Sequence, residues 1–426
     1  GLHDPGAARL LRSILGRSVA REPADVGACS HSQFLAGSSA LAPQIVGPLE
    51  ALCAAAREPR QDVGCGQTVC ALKCRRECVD TRAMPDPQVL IAETVKDADW
   101  LAHRYDSDRD AIHFVRAPRA LRNSIPFLTD AEMKLGDDPR IISLPDALGA
   151  NQATSPIHYI LHSAYCCSTL AAKAMDIPGV SQSLKEPQIL NDMVGWRHRG
   201  GEPPRVARAL DGALTLLARP FEAGEATIIK PSNVVNGLAT ALMGMRPQAH
   251  CLILFAPLPV FLASIARKGM WGRLWVRDLM TKQLVDGLIG FGFEARDHLL
   301  HTDLQAAAVG WLAQHKLFAE MAAKWPDRIR TLDSEVFVAR PQESVEAIAR
   351  LFGLPLAPDQ VTRIVGDVFG RNAKDDTPFQ AGQRTAERAV GEDLHRDEIE
   401  KVSTWAEAVA KSAGVALDLP SPLLRA

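Results

Sequence analysis

From residue 157 onward the chain alternates short, almost wholly apolar runs with amphipathic stretches of helical length. A parallel sheet joined by crossover helices requires that alternation. The runs 157–161, 180–184, 226–229, 251–255 and 329–332 are read as strands, and 168–175, 206–218, 234–243 and 260–266 as helices between them. Strands this short and this apolar are buried on both faces, so the fold class is α/β, a three-layer α/β/α sandwich with a mainly parallel sheet. Two longer helical stretches, 271–288 and 303–325, interrupt the alternation and are assigned to a helical cap beside the sheet.

The chain is expected to divide into an extension (1–83), a small α/β lead-in (84–150), the main domain (151–390) and a C-terminal helix and tail (391–426). The first boundary rests on composition. Six of the nine cysteines (Cys29, Cys53, Cys65, Cys70, Cys74 and Cys78) precede residue 84, in a stretch with no Trp, Tyr or Met and a single Phe. That stretch carries nine arginines against one lysine, and Met84 is the first methionine. Few large anchors for a core, and a codon-like bias toward Arg, fit an unstructured or non-native extension. A zinc site on Cys70, Cys74 and Cys78 is the rival reading. Their spacing of four lines one helix face, whereas zinc sites favour two close pairs separated by a loop.

A formal net charge of −2, from nearly equal numbers of acids and bases, provides no global field for nucleic acid or an anionic membrane. No apolar run is long enough to span a bilayer, so no stable membrane insertion is expected and the location is read as cytoplasmic.

The first strand of the sheet ends in HSAYCCST, His162 to Thr169, and runs directly into a helix. Ligands gather at the carboxyl ends of parallel strands, and a helix starting there turns unpaired N–H groups toward an anion. Ser163, Ala164, Tyr165, Cys166, Cys167, Ser168 and Thr169 are therefore the candidate phosphate loop, its mostly small residues letting the backbone wrap the anion while Ser168 and Thr169 add hydroxyls. An ordinary capped helix start is the plain alternative. A loop of the nucleotide-hydrolysing type needs a lysine before the hydroxyl, and Cys167 stands there, which argues against a kinase or ATPase. Adjacent Cys166 and Cys167 have poor geometry for a disulfide, although the helix start makes a lowered thiol pKa an expectation for one of them.

Two further strand ends carry lysine–proline corners: LKEP places Lys185 and Glu186, and IIKPSN places Lys230, Ser232 and Asn233, at the same edge of the sheet. Lysines at apolar strand ends need a counter-charge. The candidate catalytic set is Glu186 as general base, with Lys185 and Lys230 neutralising charge on a transferred group.

The order of these features resembles the sulfotransferase family, whose P-[KR]-[ST]-G-[TS]-T loop places its last two hydroxyls on Ser168 and Thr169. In that alignment its basic residue falls on Tyr165 and its glycine on Cys167. Ser264, eight residues after Ala256, matches the family's 3′-phosphate serine; Ala256 replaces its arginine, leaving Arg267, Lys268 or Arg273 as substitutes. The segment 328–356, with Pro341 and F-G-L, and FGRNAKDD, with Arg371 and Lys374, resemble the family's later strand–turn–helix and its basic closing loop. The resemblance covers about residues 155–385 and implies a P-loop nucleotide-hydrolase-like fold and a transferase that uses 3′-phosphoadenosine-5′-phosphosulfate as co-substrate without a metal. It also implies a small-molecule or carbohydrate acceptor offering a hydroxyl or amine. A non-catalytic nucleotide- or anion-binding protein on the same fold is the alternative, and a small-molecule kinase a more distant one.

Overall fold

The structure is a computed structural model that describes residues 86–134, 139–151, 154–370 and 381–425, with the backbone alone over 381–394. The expectations for the extension 1–83 and its cysteines, and for Arg371 and Lys374, lie outside the described residues.

A lead-in comes first: the helix Pro87–Lys96, then the antiparallel strands β1 (Trp100–Asp106), β2 (Ala111–Arg116) and β3 (Arg140–Ser143) in the order β1-β2-β3. Asp86 caps the helix through Gln88 N–H, and Pro87 occupies the first turn, where a missing N–H costs nothing. This lead-in is not a separate globule. Buried Arg219, just past the helix Pro203–Leu217, donates to the carbonyls of Val95 (2.8 Å) and Trp100. Leu101, Phe114 and Leu128 belong to the same apolar cluster as Tyr159 and Leu161 of the main sheet.

That sheet is five-stranded and wholly parallel, in the order β5-β6-β4-β7-β8, with β4 Ile157–His162, β5 Ser181–Lys185, β6 Ala226–Lys230, β7 Cys251–Phe255 and β8 Ile329–Asp333. Each of the five expected strands is present within one residue at either end. Alternate side chains divide between two cores: Tyr159, Leu161 and Ile253 face one layer of helices, and Ile160, Leu252 and Leu254 the other. A period-two pattern apolar on both faces is what a doubly covered sheet demands, and the α/β/α sandwich follows. The chain leaves β4 toward β5 and leaves β7 toward β8, on opposite sides, so the crevice between the carboxyl ends of β4 and β7 is the topological switch point.

The helix Gln188–His198 follows β5 in a stretch to which the sequence assigns no helix, with Pro187 of the LKEP corner at its N-cap. The expected helix 234–243 is a 3-10 turn, Asn233–Leu238, followed by an α-helix, Ala239–Met245. Of the two long helices beside the sheet, Gly269–Val285 leaves part of its surface bare, while Asp303–Lys324 buries Trp311, Phe318 and Met321. Pro341–Phe352 ends at Gly353, whose φ of 67° is left-handed backbone that glycine adopts without a Cβ clash. The C-terminal tail pairs with β8, Leu423 N–H reaching Thr331 carbonyl at 2.7 Å, and so covers that edge of the sheet.

Candidate functional site

The loop after β4 is anchored before it is free to meet a ligand. Ser163 N–H donates to Leu254 carbonyl (3.2 Å), and its hydroxyl accepts from Ala256 N–H (3.1 Å), tying the end of β4 to the end of β7. Ala164 N–H donates to Nδ1 of His162 (3.1 Å), so that ring carries its hydrogen on Nε2, which donates to Pro231 carbonyl at 3.0 Å. His162 thus clamps the loop to the end of β6. Its carbonyl in turn accepts from Asn236 Nδ2 (3.1 Å). The backbone donors of Ser163 and Ala164, included among the candidate ligand groups, are therefore spent on the scaffold. An anion has to be met by the later part of the loop, 165–169.

That later part is bent into backbone that L-residues avoid. Ala164, Tyr165 and Cys167 have φ of 71°, 53° and 64°, and Glu186, just past the end of β5 two strands away, has 53°. Each costs on the order of 1–2 kcal/mol, a cost that persists only where the surroundings over-determine it. Cys167 is the residue before the helix Ser168–Ala174, at the position where the family pattern has glycine. Ser168 and Thr169 are almost fully buried against the sheet.

The two cysteines differ in what they offer. Cys166 is completely buried and burial pushes its thiol up to about 11, so the expectation of a thiol activated by the helix start fails for this residue: desolvation outweighs the dipole. Cys167 is only partly covered.

Beside the loop, Lys230 and Glu186 form an ion pair, with Lys230 buried and Glu186 17% exposed in its side chain. Glu186 N–H also donates to Lys230 carbonyl (2.6 Å), and His162 Nε2 lies 4.0 Å from the same carboxylate. Lys230 Nζ sits 5.2 Å from the centre of the Phe127 ring and its charge reaches Cys166. Lys185 pairs in register with Lys230 across β5 and β6. Its ammonium donates to Asn123 carbonyl (3.2 Å), and burial, with Lys173 and Lys230 nearby, lowers its pKa to about 8. The structure thus joins Lys230, Glu186 and His162 to the loop and commits Lys185 to the lead-in.

The positions that the family fills with bases are filled here by packing. Tyr165 lies edge-on to Trp275 (5.4 Å) and Phe261 (6.1 Å), and burial raises its hydroxyl to about 12. Ala256 is fully buried, and its carbonyl accepts from Trp311 Nε1 at 2.9 Å. Ser264 hydroxyl donates to Val260 carbonyl (2.9 Å) within its own helix. Of the three expected substitutes for the missing arginine, Arg273 is held by Glu398 (3.2 Å) and Asp303 (3.7 Å), while Arg267 and Lys268 are exposed at the end of the helix Leu258–Arg267. His162 is the site residue that sequence reasoning passed over; a histidine closing an otherwise apolar buried strand was the available signal.

Among the described residues there is no group of three or more His, Cys, Asp or Glu placed to hold a metal ion, and no helix long and apolar enough to cross a membrane. No family model and no curated protein matches the chain. Among solved structures it is similar to sulfotransferase STF9 from Mycobacterium avium, at 11% identity and a TM-score of 0.35 over 59% of this chain and 79% of that one. It is also similar to sulfotransferase STF1 from Mycobacterium tuberculosis, at 14% identity and a TM-score of 0.31 over 52% of this chain and 75% of that one. Likenesses of this size assign neither a ligand nor a reaction.

Proposed function

We propose that the chain binds 3′-phosphoadenosine-5′-phosphosulfate at the loop after β4 and transfers its sulfuryl group to a hydroxyl or amine of a small-molecule or carbohydrate acceptor. The observation that carries this reading is the loop itself: three non-glycine residues held at positive φ, at the switch point of a parallel sheet, beside a buried lysine. Strain of that kind is retained where a backbone must present N–H groups to an anion. Tyr165, Cys166, Cys167, Ser168 and Thr169 would hold the 5′ phosphosulfate, and Ser264, with Lys374, the 3′-phosphate.

In the transfer, the acceptor oxygen or nitrogen forms the new bond to sulfur as the bond from sulfur to the phosphate oxygen breaks, releasing adenosine 3′,5′-bisphosphate. Glu186 takes the acceptor's proton, and Lys230 meets the negative charge gathering on the departing phosphate. The Lys230–Glu186 pair gives these roles an order. A phosphosulfate that draws Lys230 toward itself leaves the Glu186 carboxylate without its partner and open to the acceptor. Lys185 adds positive potential from the adjacent register position.

A second reading has its own support. Tyr165 and Ala256 put packed side chains where a donor-binding cation is expected, which favours a nucleotide- or anion-binding protein without transfer. Titration calorimetry with adenosine 3′,5′-bisphosphate, followed by release of that nucleotide from the phosphosulfate donor with water or a panel of alcohols, sugars and amines, separates the two. Binding with turnover supports the transferase, and binding without turnover supports the binder. Absence of binding removes both.

A further inference from the structure

The corner between the helices Leu258–Arg267 and Gly269–Val285 presents large apolar side chains to solvent. Met270, Trp271 and Leu274 are 71, 62 and 61% exposed, and Leu299 and Leu300, on the short helix Ala295–Leu300, are 81 and 80% exposed. Arg277, one turn beyond Leu274, donates to His301 carbonyl (2.9 Å) and to Asp303 (2.5 Å), fixing the end of the Leu299–Leu300 segment against the long helix. Single exposed apolar residues are ordinary; three of this size within five consecutive positions of one helix are not.

The charge around them selects the occupant. Between Arg267 and Val285 there are five basic residues (Arg267, Lys268, Arg273, Arg277 and Lys282) and one acid (Asp278); with Asp303 and Glu398, which hold Arg273 and Arg277, the balance is 5 − 3 = +2 in a chain whose formal total is −2. Arg267 and Lys268 are exposed at the corner itself, immediately before Met270 and Trp271. Asp278, the acid of this helix, pairs with Lys282 (2.6 Å) on a later turn. A second copy of the chain docked symmetrically on this face would bring two such basic corners together, and like charges at that range oppose association. A surface of negative headgroups over an apolar layer matches both features at once. Tryptophan and arginine or lysine at the rim are what a helix lying in such an interface uses.

We propose that this corner docks the protein onto an anionic lipid bilayer, with Met270, Trp271 and Leu274 entering the interface and Arg267 and Lys268 meeting the headgroups. The helix lies on the surface and does not cross it. One turn beyond Trp271 on the same helix, Trp275 packs edge-on against Tyr165 of the loop, so the docking residues and the candidate site share one rigid element.

The test uses the full chain and vesicles of phosphatidylcholine with and without phosphatidylglycerol. Wild type is expected to sediment with the mixed vesicles, weakly or not at all with phosphatidylcholine alone, and less as salt rises. The triple variant Met270→Ser, Trp271→Ser, Leu274→Ser should lose at least about tenfold in vesicle binding. Arg267→Glu with Lys268→Glu should lose about tenfold or more, and only on anionic vesicles. Thermal melts report whether these surface variants remain folded. As a check independent of them, Trp271→Phe should keep sedimentation and abolish the blue shift in tryptophan emission that vesicles induce in wild type. Three results would overturn the proposal: no vesicle binding by wild type, undiminished binding by the triple variant, or a wild-type dimer in sedimentation velocity that the triple variant dissolves.

Discussion

The Lys230–Glu186 pair is the feature whose removal tests the site most directly. Lys230 has a side chain 1% exposed, so its ammonium depends on Glu186, the Phe127 ring and whatever anion arrives. Removing one member of a fully buried pair costs about 3–5 kcal/mol, because the other charge is left in a poor solvent. Glu186 retains 17% exposure and has the His162 ring at 4.0 Å, so Lys230→Met should cost less than that range, about 2–3 kcal/mol. Glu186→Gln strands the more buried partner and leaves Lys185 and Lys230 repelling across β5 and β6, so its cost should be at least as large. The double variant should recover on the order of 2 kcal/mol relative to the sum of the singles. Urea unfolding at neutral pH measures all three. Singles within about 0.5 kcal/mol of wild type, or strict additivity, would refute the pair as an energetic unit. Nucleotide affinity then separates structure from function. If Lys230 turns from Glu186 to the ligand, Lys230→Met weakens adenosine 3′,5′-bisphosphate by about ten- to a hundredfold, whereas Glu186→Gln, which releases the lysine, leaves affinity unchanged or tighter. Equal weakening by both would sink the proposed division of labour.

Three other outcomes follow from the same geometry. Cys167→Gly should stabilise the protein by up to about 1 kcal/mol by relieving a left-handed residue, while Cys167→Val should destabilise it by about 1–2 kcal/mol; thermal melts that rank them the other way would mean the loop relaxes elsewhere. Thr169→Val should weaken nucleotide binding by about 1–2 kcal/mol in calorimetry, and an unchanged constant would move the 5′ phosphosulfate away from this hydroxyl. Burial lowers His158 and His315 to about 4 and about 3, below their ordinary value of 6.5, so both protonate more readily in the unfolded chain. Their contribution is whole above pH 6.5 and declines as pH falls, by about 1.4 kcal/mol per unit for each down to about pH 4. Urea midpoints at pH 7, 6 and 5 check this, and His315→Phe should remove roughly half of that slope.

The strands and the loop were legible because each is written locally. An apolar run flanked by helical periodicity declares a buried parallel strand, and a small-residue stretch between such a run and a helix declares a tight turn at the sheet's edge. The lysine corners were legible for the same reason: a charge closing an apolar strand is anomalous in one dimension. What escaped depends on partners distant in sequence. Residues 234–243 carry one apolar periodicity, yet the chain makes a 3-10 turn there, with Arg197 donating to Gly237 carbonyl (3.0 Å) and to Asp286. Nothing in the lead-in announces that Arg219, more than a hundred residues on, will bind its carbonyls.

The two departures from the family pattern also make sense only together, once the helices are placed. A basic residue at position 165 or 256 gains its counter-charge from the ligand, so a site built that way is incomplete while empty. Here Tyr165 seats on Phe261 and Trp275, and the carbonyl of Ala256 takes the indole N–H of Trp311, so both positions are satisfied by the protein itself. The strained loop is thereby held in shape from behind, by aromatic packing rather than by a bound phosphate. An arginine at 256 would have to enter a fully buried position already closed by Trp311, so restoring the family's residue there should disrupt the packing under the loop instead of strengthening the grip on a nucleotide.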